Sequence, residues 1–417
     1  MTAKWIGADI QELVLLPNST TGLNAVVASV AADVSARGQL FQKMGYSGQN
    51  EVEVMFLDAG YGSVKSMVER ACRLSGGAAV PVEVPILPNL EAEGYCEEAV
   101  LQRVEDAMTA HPNAALLVFD DVTSNTALPL PTGRLLQLCR DRGVLSLVDA
   151  AHSVGSSSSP QLPFLSSENG ADFAVGNLHK WACAPRGSAF MYSKREHQKV
   201  KNIHKDPCCE FLKEIPAVHP AAAAGAASAV ARLRRGLSLA LHLERRQRLQ
   251  RAAGTSSSFR RDFSVFMRCL QLTNCLNLSL QALPHVIRRF WGGAGVEGEE
   301  VMRRATGYQS NLLAEAVDLL SEEWGTSAGA GAGAGEGAGE RKSLVPVEDC
   351  RNMALVKLPA LAGAPSGKDA QDALFEQRVE CPVKTVGGEL WVRISVGVYN
   401  ERADYAALAL AISKLRE

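Results

Sequence analysis

From residue 12 to about 200, short apolar runs alternate with amphipathic stretches. Leu13-Val14-Leu15-Leu16 reads as a short strand. A helical pattern follows through Leu23, Val26, Val27 and Val30. Val52 to Leu57 predicts a strand, and Val64 to Leu74 a helix. Ala78 to Val84 predicts the next strand, with Pro81 arguing for a sheet edge because proline cannot donate to a ladder. Glu97 to Ala110 has helical periodicity, and so does Leu135 to Arg142. Ala114 to Phe119 and Val144 to Val148 are unbroken Val- and Leu-rich runs, the composition of parallel strands covered on both faces. Strands alternating with helices predict an α/β fold with a mainly parallel sheet flanked by helices. Ligand sites in such sheets lie just past the carboxyl ends of the strands.

After residue 220 the pattern changes. Ala221 to Ala227 is alanine-rich, and Arg232 to Arg251 is a basic helical stretch. Together with the Ser- and Arg-rich residues 254 to 262, residues 221–260 read as an unusual insert, a solvated surface element rather than a nucleic-acid reader. Residues 268–285 look like another insert. Gly293 to Leu320 is helical, and Ala328 to Glu340 is a low-complexity Ala/Gly linker. Val345 to Lys357 and Glu389 to Ser395 predict strands, and Tyr405 to Leu415 a closing helix. The division expected is therefore a large domain over 1–285 and a smaller α+β C-terminal domain over 286–417.

The 417 residues suit such a pair of units. Lys and Arg number 43 against 45 Asp and Glu, so no polyanionic partner is implied. No apolar run approaches the roughly 20 residues of a membrane span, and the first residues lack a secretory pattern. Ten scattered cysteines without a CxxC pair read as reduced thiols of a cytoplasmic or organellar protein, with no metal site. Cys208-Cys209 is a vicinal pair in a polar stretch and a candidate for a metal or redox role.

Candidate chemistry gathers where apolar runs end. Asp149 closes Val144 to Val148, and Lys180 follows the small-residue run Ala171 to Leu178. An aspartate and a lysine on neighbouring strand ends are what pyridoxal phosphate (PLP) needs. The lysine amine forms a Schiff base with the aldehyde, and the carboxylate keeps the pyridine nitrogen protonated. Read locally, Asp149 could also cap a helix. Asn18-Ser19-Thr20-Thr21-Gly22 precedes a helix, where hydroxyls and free N–H groups form an anion site or a plain N-cap.

These segments resemble the class V aminotransferase family of fold-type I PLP enzymes, nearest to its isopenicillin-N-epimerase-like and L-cysteine-desulfhydrase-like members. The resemblance rests on Gly170-Ala-Asp-Phe through Asn177-Leu-His-Lys-Trp181, on Asp149-Ala-Ala-His152, and on Trp391-Val-Arg393-Ile-Ser395 with Tyr399-Asn400. It implies Lys180 as the Schiff-base lysine and Asp149 as the pyridinium partner. His152 would meet the cofactor's phenolic oxygen, and Thr20 and Thr21 its phosphate. Tyr61 would stack on the ring, and Thr123 or Ser124 would touch the ring edge. Asn177 and His179 would lie within reach of the phosphate or the lysine linkage. Arg393 would grip the substrate α-carboxylate with its guanidinium fork. A homodimer is implied by the family alone.

The same resemblance implies an L-amino-acid substrate and a Cα-carbanion mechanism. The stretches around Tyr61, Val82 to Pro88 and Asp121 to Pro131 look nearer the desulfhydrase-like members, so C–S lyase chemistry is expected first. Epimerase and aminotransferase activities are the alternatives, and a truncated, non-catalytic homologue is a third. That last expectation arises because some tens of family residues that normally precede the phosphate segment have no counterpart here. Arg260 also stands where the family carries a threonine for the partner's phosphate, with Thr255 as a substitute, and Asp121 stands where it carries a histidine. Cys381 is expected to be a buried structural thiol in a strand, not a persulfide carrier.

Overall fold

The computed structural model describes residues 1–35, 53–83, 96–166, 168–198, 277–326, 342–362, 364 and 366–416. The insert 221–260, the linker 328–340, Cys208-Cys209, Thr255 and Arg260 lie outside them.

The large sheet has seven strands: β1 (Leu13–Leu16), β2 (Glu53–Leu57), β3 (Ala78–Val82), β4 (Ala114–Asp120), β5 (Leu145–Asp149), β6 (Phe173–Asn177) and β7 (Ala189–Ser193), in the order β1-β7-β6-β5-β4-β2-β3. The five strands from β3 to β6 in that order are parallel, and β7 runs against both β6 and β1. Pro81 lies on β3, the edge strand, where its missing N–H leaves no inner ladder position unfilled.

Alternation along the strands divides the core into two layers. On β2, Val54 and Phe56 face one layer and Met55 and Leu57 the other. Helices α2 (Ser19–Ser35) and α3 (Gly62–Ser75) cover the first layer. The second is covered by α1 (Thr2–Ile6), α4 (Glu97–Ala110), α5 (Thr132–Arg142) and α6 (Asn277–Arg289). The contact of α2 with the sheet depends on Gly22, since a Cβ there would lie 2.7 Å from Val175 and 2.8 Å from Leu16.

The expected division at 285/286 falls inside α6. Leu283, Ile287 and Trp291 all pack into the large-sheet core, and the Trp291 indole donates to Ala182 O at 2.9 Å. Residues 277–285 are thus an integral part of the large unit.

The C-terminal unit is a three-stranded antiparallel sheet with β10 (Glu389–Ser395) between β8 (Met353–Lys357) and β9 (Val383–Val386). It packs on α7 (Val296–Trp324), α8 (Gly367–Glu376) and α9 (Arg402–Ser413). The strand expected over Val345 to Lys357 shrinks to β8. Pro346 cannot donate to a ladder, and Asp349 N–H and Cys350 N–H close turns onto Pro346 O and Val347 O. Cys381 sits just before β9 rather than within it, half-buried, and burial raises its thiol pKa.

At the amino end of β6, Asp172 accepts from Ser146 N–H and Ser146 Oγ and meets His197 Nε2 at 2.9 Å. Lys194 Nζ lies 3.7 Å from the same carboxylate. This network ties β5, β6 and the end of β7 together. Glu196 stands close enough to Asp172 and His197 for the three to hold a metal, but Lys194 already supplies the positive charge there.

Candidate active site

The carboxyl ends of β4, β5 and β6 deliver Asp120, Asp149 and Asn177 to one edge of the sheet. Asp120 and Asp149 are register partners on adjacent strands, and both are buried. Water is excluded there, which disfavours the charged forms. Burial therefore raises Asp149 to about 6, although Ala151 N–H donates to its Oδ1 at 3.0 Å and opposes the shift. Asp120 is pushed well above the usual carboxylate range, first by burial and then by the charge of Asp149. The arrangement favours one charge for the pair, carried by Asp149.

Lys180 stands on the turn after β6. Its Nζ is 2.9 Å from His152 Nε2, on the loop after β5. Burial lowers the lysine pKa, the charges of Asp149 and Asp120 oppose that, and Arg393 adds to it. A lowered pKa leaves more free amine, the form that attacks an aldehyde. His152 is held well below the ordinary histidine range by burial, by Lys180 and by Arg393. It is neutral at pH 7, so its Nε2 can accept from the lysine.

The structure also brings in the start of α2. Asn177 Oδ1 accepts from Ser19 N–H at 3.0 Å, and its Nδ2 donates to Ser19 Oγ at 2.9 Å. Asn18 caps the same turn, its Oδ1 accepting from Thr21 N–H at 2.8 Å and Thr21 Oγ1 at 3.1 Å. Thr20 is exposed on that first turn. The helix N-terminus is thus pinned to the strand end that leads to Lys180, and its dipole favours an anion.

The remaining expected residues divide by what already engages them. Tyr61 is exposed just before α3, where a flat ligand could meet its ring. His179 is anchored through Nδ1 to Ser188 O at 2.8 Å, and burial lowers its pKa. The Thr123 hydroxyl is fully buried, pairing with Thr126 Oγ1 at 2.7 Å and accepting from Leu128 N–H at 2.8 Å. That hydroxyl shapes the turn after β4. Ser124 offers its carbonyl to the Arg393 guanidinium, which reaches across from β10.

Three buried nitrogens of this region lack a partner among the described residues: His152 Nδ1, Trp181 Nε1 and Arg393 Nε. Orphaned buried donors are rare in folded proteins. Here they accompany an amine, a pair of carboxyls and a pinned helix N-terminus. That donor set fits an aromatic aldehyde phosphate. Asp149 and Lys180 suit its ring nitrogen and aldehyde, and the start of α2 its phosphate.

Sequence reasoning missed Asp120, although the rule that found Asp149, a carboxylate closing a buried apolar run, applies to it equally. It also missed Arg351, whose Nη1 lies 3.0 Å from Asp121 Oδ2.

If the start of α2 holds a phosphate, Asn177→Ala should weaken PLP binding about tenfold or more, since two buried hydrogen bonds worth about 1 kcal/mol each disappear. A PLP titration read by absorbance tests this. An unchanged affinity would remove Asn177 from the site.

Residues 1–204 match the family model described as aminotransferase class-V. An L-cysteine desulfhydrase of Arabidopsis thaliana is 26% identical over 98% of this chain and 75% of its own length. An isopenicillin N epimerase of Amycolatopsis lactamdurans is 30% identical over 46% of this chain and 41% of its own. Among solved structures, a cystine C–S lyase in complex with cysteine persulfide superposes with a TM-score of 0.56 at 15% identity, covering 100% of this chain and 84% of that one. At that identity the superposition speaks for the fold.

Proposed function

The chain belongs to the class-V aminotransferase family of fold-type I PLP-dependent enzymes, and from that premise we propose that it is a PLP-dependent C–S lyase acting on L-cysteine or a close derivative. The observation that carries the reading is the Lys180–His152 contact beside the Asp149–Asp120 pair. The Arabidopsis thaliana L-cysteine desulfhydrase matches along 98% of the chain, whereas the Amycolatopsis lactamdurans epimerase matches along 46% of it. This favours lyase over epimerase.

When bound, PLP supplies an electron sink for the electron pair left at a substrate Cα. The chain's own residues do the rest. Lys180 would hold the cofactor, and its Nζ would take the Cα proton. Neutral His152 accepts from that amine and orients it. Asp149, as a carboxylate, would steady a protonated ring nitrogen. Arg393 is half-buried, and its Nε has no partner among the described residues, so it can grip the α-carboxylate while retaining Ser124 O. Loss of the β-sulfur substituent from L-cysteine, followed by hydrolysis, gives sulfide, pyruvate and ammonia. A homodimer is part of the proposal, on family grounds.

The test is an absorbance spectrum of the purified protein with PLP, before and after L-cysteine, with sulfide and pyruvate assayed together. A visible band that changes with L-cysteine and releases both products in equal amounts is expected. A band with racemised substrate and no sulfide would make the epimerase reading correct. No band under any condition would leave a non-catalytic family member.

A further inference from the structure

Asp121 is a buried carboxylate, 3% exposed, directly after β4. Such a group is costly to bury unless it is paired and hydrogen-bonded. Its Oδ1 accepts from Thr132 Oγ1 at 2.7 Å, at the start of α5. Its Oδ2 accepts from Ser153 Oγ at 2.8 Å and lies 3.0 Å from Arg351 Nη1. The histidine expected at this position could accept at most one of these three donors, because a neutral imidazole has a single acceptor nitrogen. The aspartate therefore builds a junction that the family residue could not.

The three donors come from separate parts of the molecule. Arg351 belongs to the C-terminal unit, just before β8. Ser153 is the neighbour of His152, whose Nε2 meets Lys180 Nζ. The same loop is held a second time, because Asn352 Nδ2 donates to Gly155 O at 3.3 Å. Gly155 has φ +85°, and a Cβ there would lie 2.6 Å from the Trp181 main chain. The 150–156 loop is thus pressed against the residue that follows Lys180, while from behind Asn352 grips it directly and Arg351 holds it through Asp121. An apolar contact accompanies the polar one. Val122, Ala127 and Leu128 pack with Leu344, Met353, Leu355 and Trp391, and Trp181 packs against the same cluster.

We propose that Asp121 and Arg351 form a positioning relay, which carries the docking of the C-terminal unit through Ser153 to His152 and so to the lysine amine. The proposal rests on the catalytic reading of Lys180 and adds three positioning residues to it: Asp121, Arg351 and Ser153. With Arg351 in place, Asp121 is a paired carboxylate that fixes the Ser153 hydroxyl and with it the reach of His152. Without Arg351, the buried charge is uncompensated and the loop is free to open toward water. Lys180 and Arg393 are the charged groups whose fields bear on His152, and neither is removed in the test.

The experiment compares Ser153→Ala, Arg351→Met and Arg351→Lys with the wild type by three readouts. The first is the titration of the His152 imidazole by ¹⁵N NMR in the cofactor-free protein. The second is the rate at which added PLP forms its lysine-dependent absorbance band, and the third is the melting temperature. Ser153→Ala and Arg351→Met are expected to move the His152 midpoint upward by about one unit, a tenfold change in proton affinity, and to slow band formation by about tenfold. Arg351→Lys, which keeps the charge, is expected to stay within about twofold of wild type. An unmoved His152 midpoint in both disrupting variants overturns the relay, and so does a lower melting temperature without any such movement. If Arg351→Met fails to fold, Ser153→Ala decides alone, since it deletes one hydroxyl and no charge. If wild type forms no band with PLP, the catalytic reading falls, while the NMR titration still decides the relay.

Discussion

Lys180→Ala is expected to remove the visible PLP band and to lower cysteine-dependent sulfide release by at least about 10³-fold. Lys180 Nζ lies 2.9 Å from His152 Nε2 and within the field of Asp149. No other lysine is placed at the carboxyl ends of β4, β5 and β6 among the described residues. Deleting the amine takes away both the covalent anchor and the base at Cα, and a positioned base alone is worth about 10² to 10⁴. Lys180→Arg is the informative companion. It keeps a positive charge but cannot form the linkage, so its activity should fall as far as that of alanine. Folding should survive. Burial lowers the Lys180 pKa, so the charged amine costs stability at neutral pH, and alanine removes that cost. A melting temperature at or above wild type, together with loss of the band, would fit. A Lys180→Ala protein that still forms the band and releases sulfide would place the chemistry on another lysine.

The order of the elements was legible because buried strands and amphipathic helices leave different periods in the sequence. Ala114 to Phe119 and Val144 to Val148 announce β4 and β5, and the polar residues that close or follow such runs announce Asp149 and Lys180. Strand direction is not written in periodicity. Ala189–Ser193 reads like its parallel neighbours, yet β7 runs against β6, because only the short 178–188 turn joins them and no crossover helix intervenes. Long-range partners were invisible for a related reason. Asn177 looked like a ligand contact, and the structure gives its amide to Ser19, 158 positions away. Within its own turn, the Thr123 hydroxyl pairs with Thr126 Oγ1 and accepts from Leu128 N–H. Asp121 registered only as a departure from a family histidine. Its three donors lie 11, 32 and 230 positions away, beyond the reach of any local pattern.

Asp149→Asn should separate catalysis from stability, because the two respond to its charge in opposite ways. The carboxylate sits at the end of β5, buried, with its pKa raised to about 6, first by burial. In the cofactor-free protein a folded-state pKa above the unfolded value has a definite consequence. Stability is full below about pH 4, the ordinary aspartate range, and part of it is lost as pH rises through about 6. Asparagine carries no such charge, and its Oδ1 can still accept from Ala151 N–H. The cofactor-free variant should therefore be more stable than wild type at pH 7 to 8, by about 1–3 kcal/mol, with the advantage fading toward pH 4. Chemical denaturation at the two pH values measures it. With PLP the order reverses. The neutral amide no longer compensates a protonated ring nitrogen, and breaking a buried ion pair on one side costs about 3–5 kcal/mol. If that loss falls on the transition state, turnover drops by about two to four orders of magnitude. Asp120 is a poor substitute, because burial, the larger cause of its raised pKa, persists in the variant although the Asp149 charge is gone. Activity retained in Asp149→Asn would assign the ring partner to Asp120. Equal loss of activity and of cofactor-free stability would make Asp149 a structural residue of the β5 end.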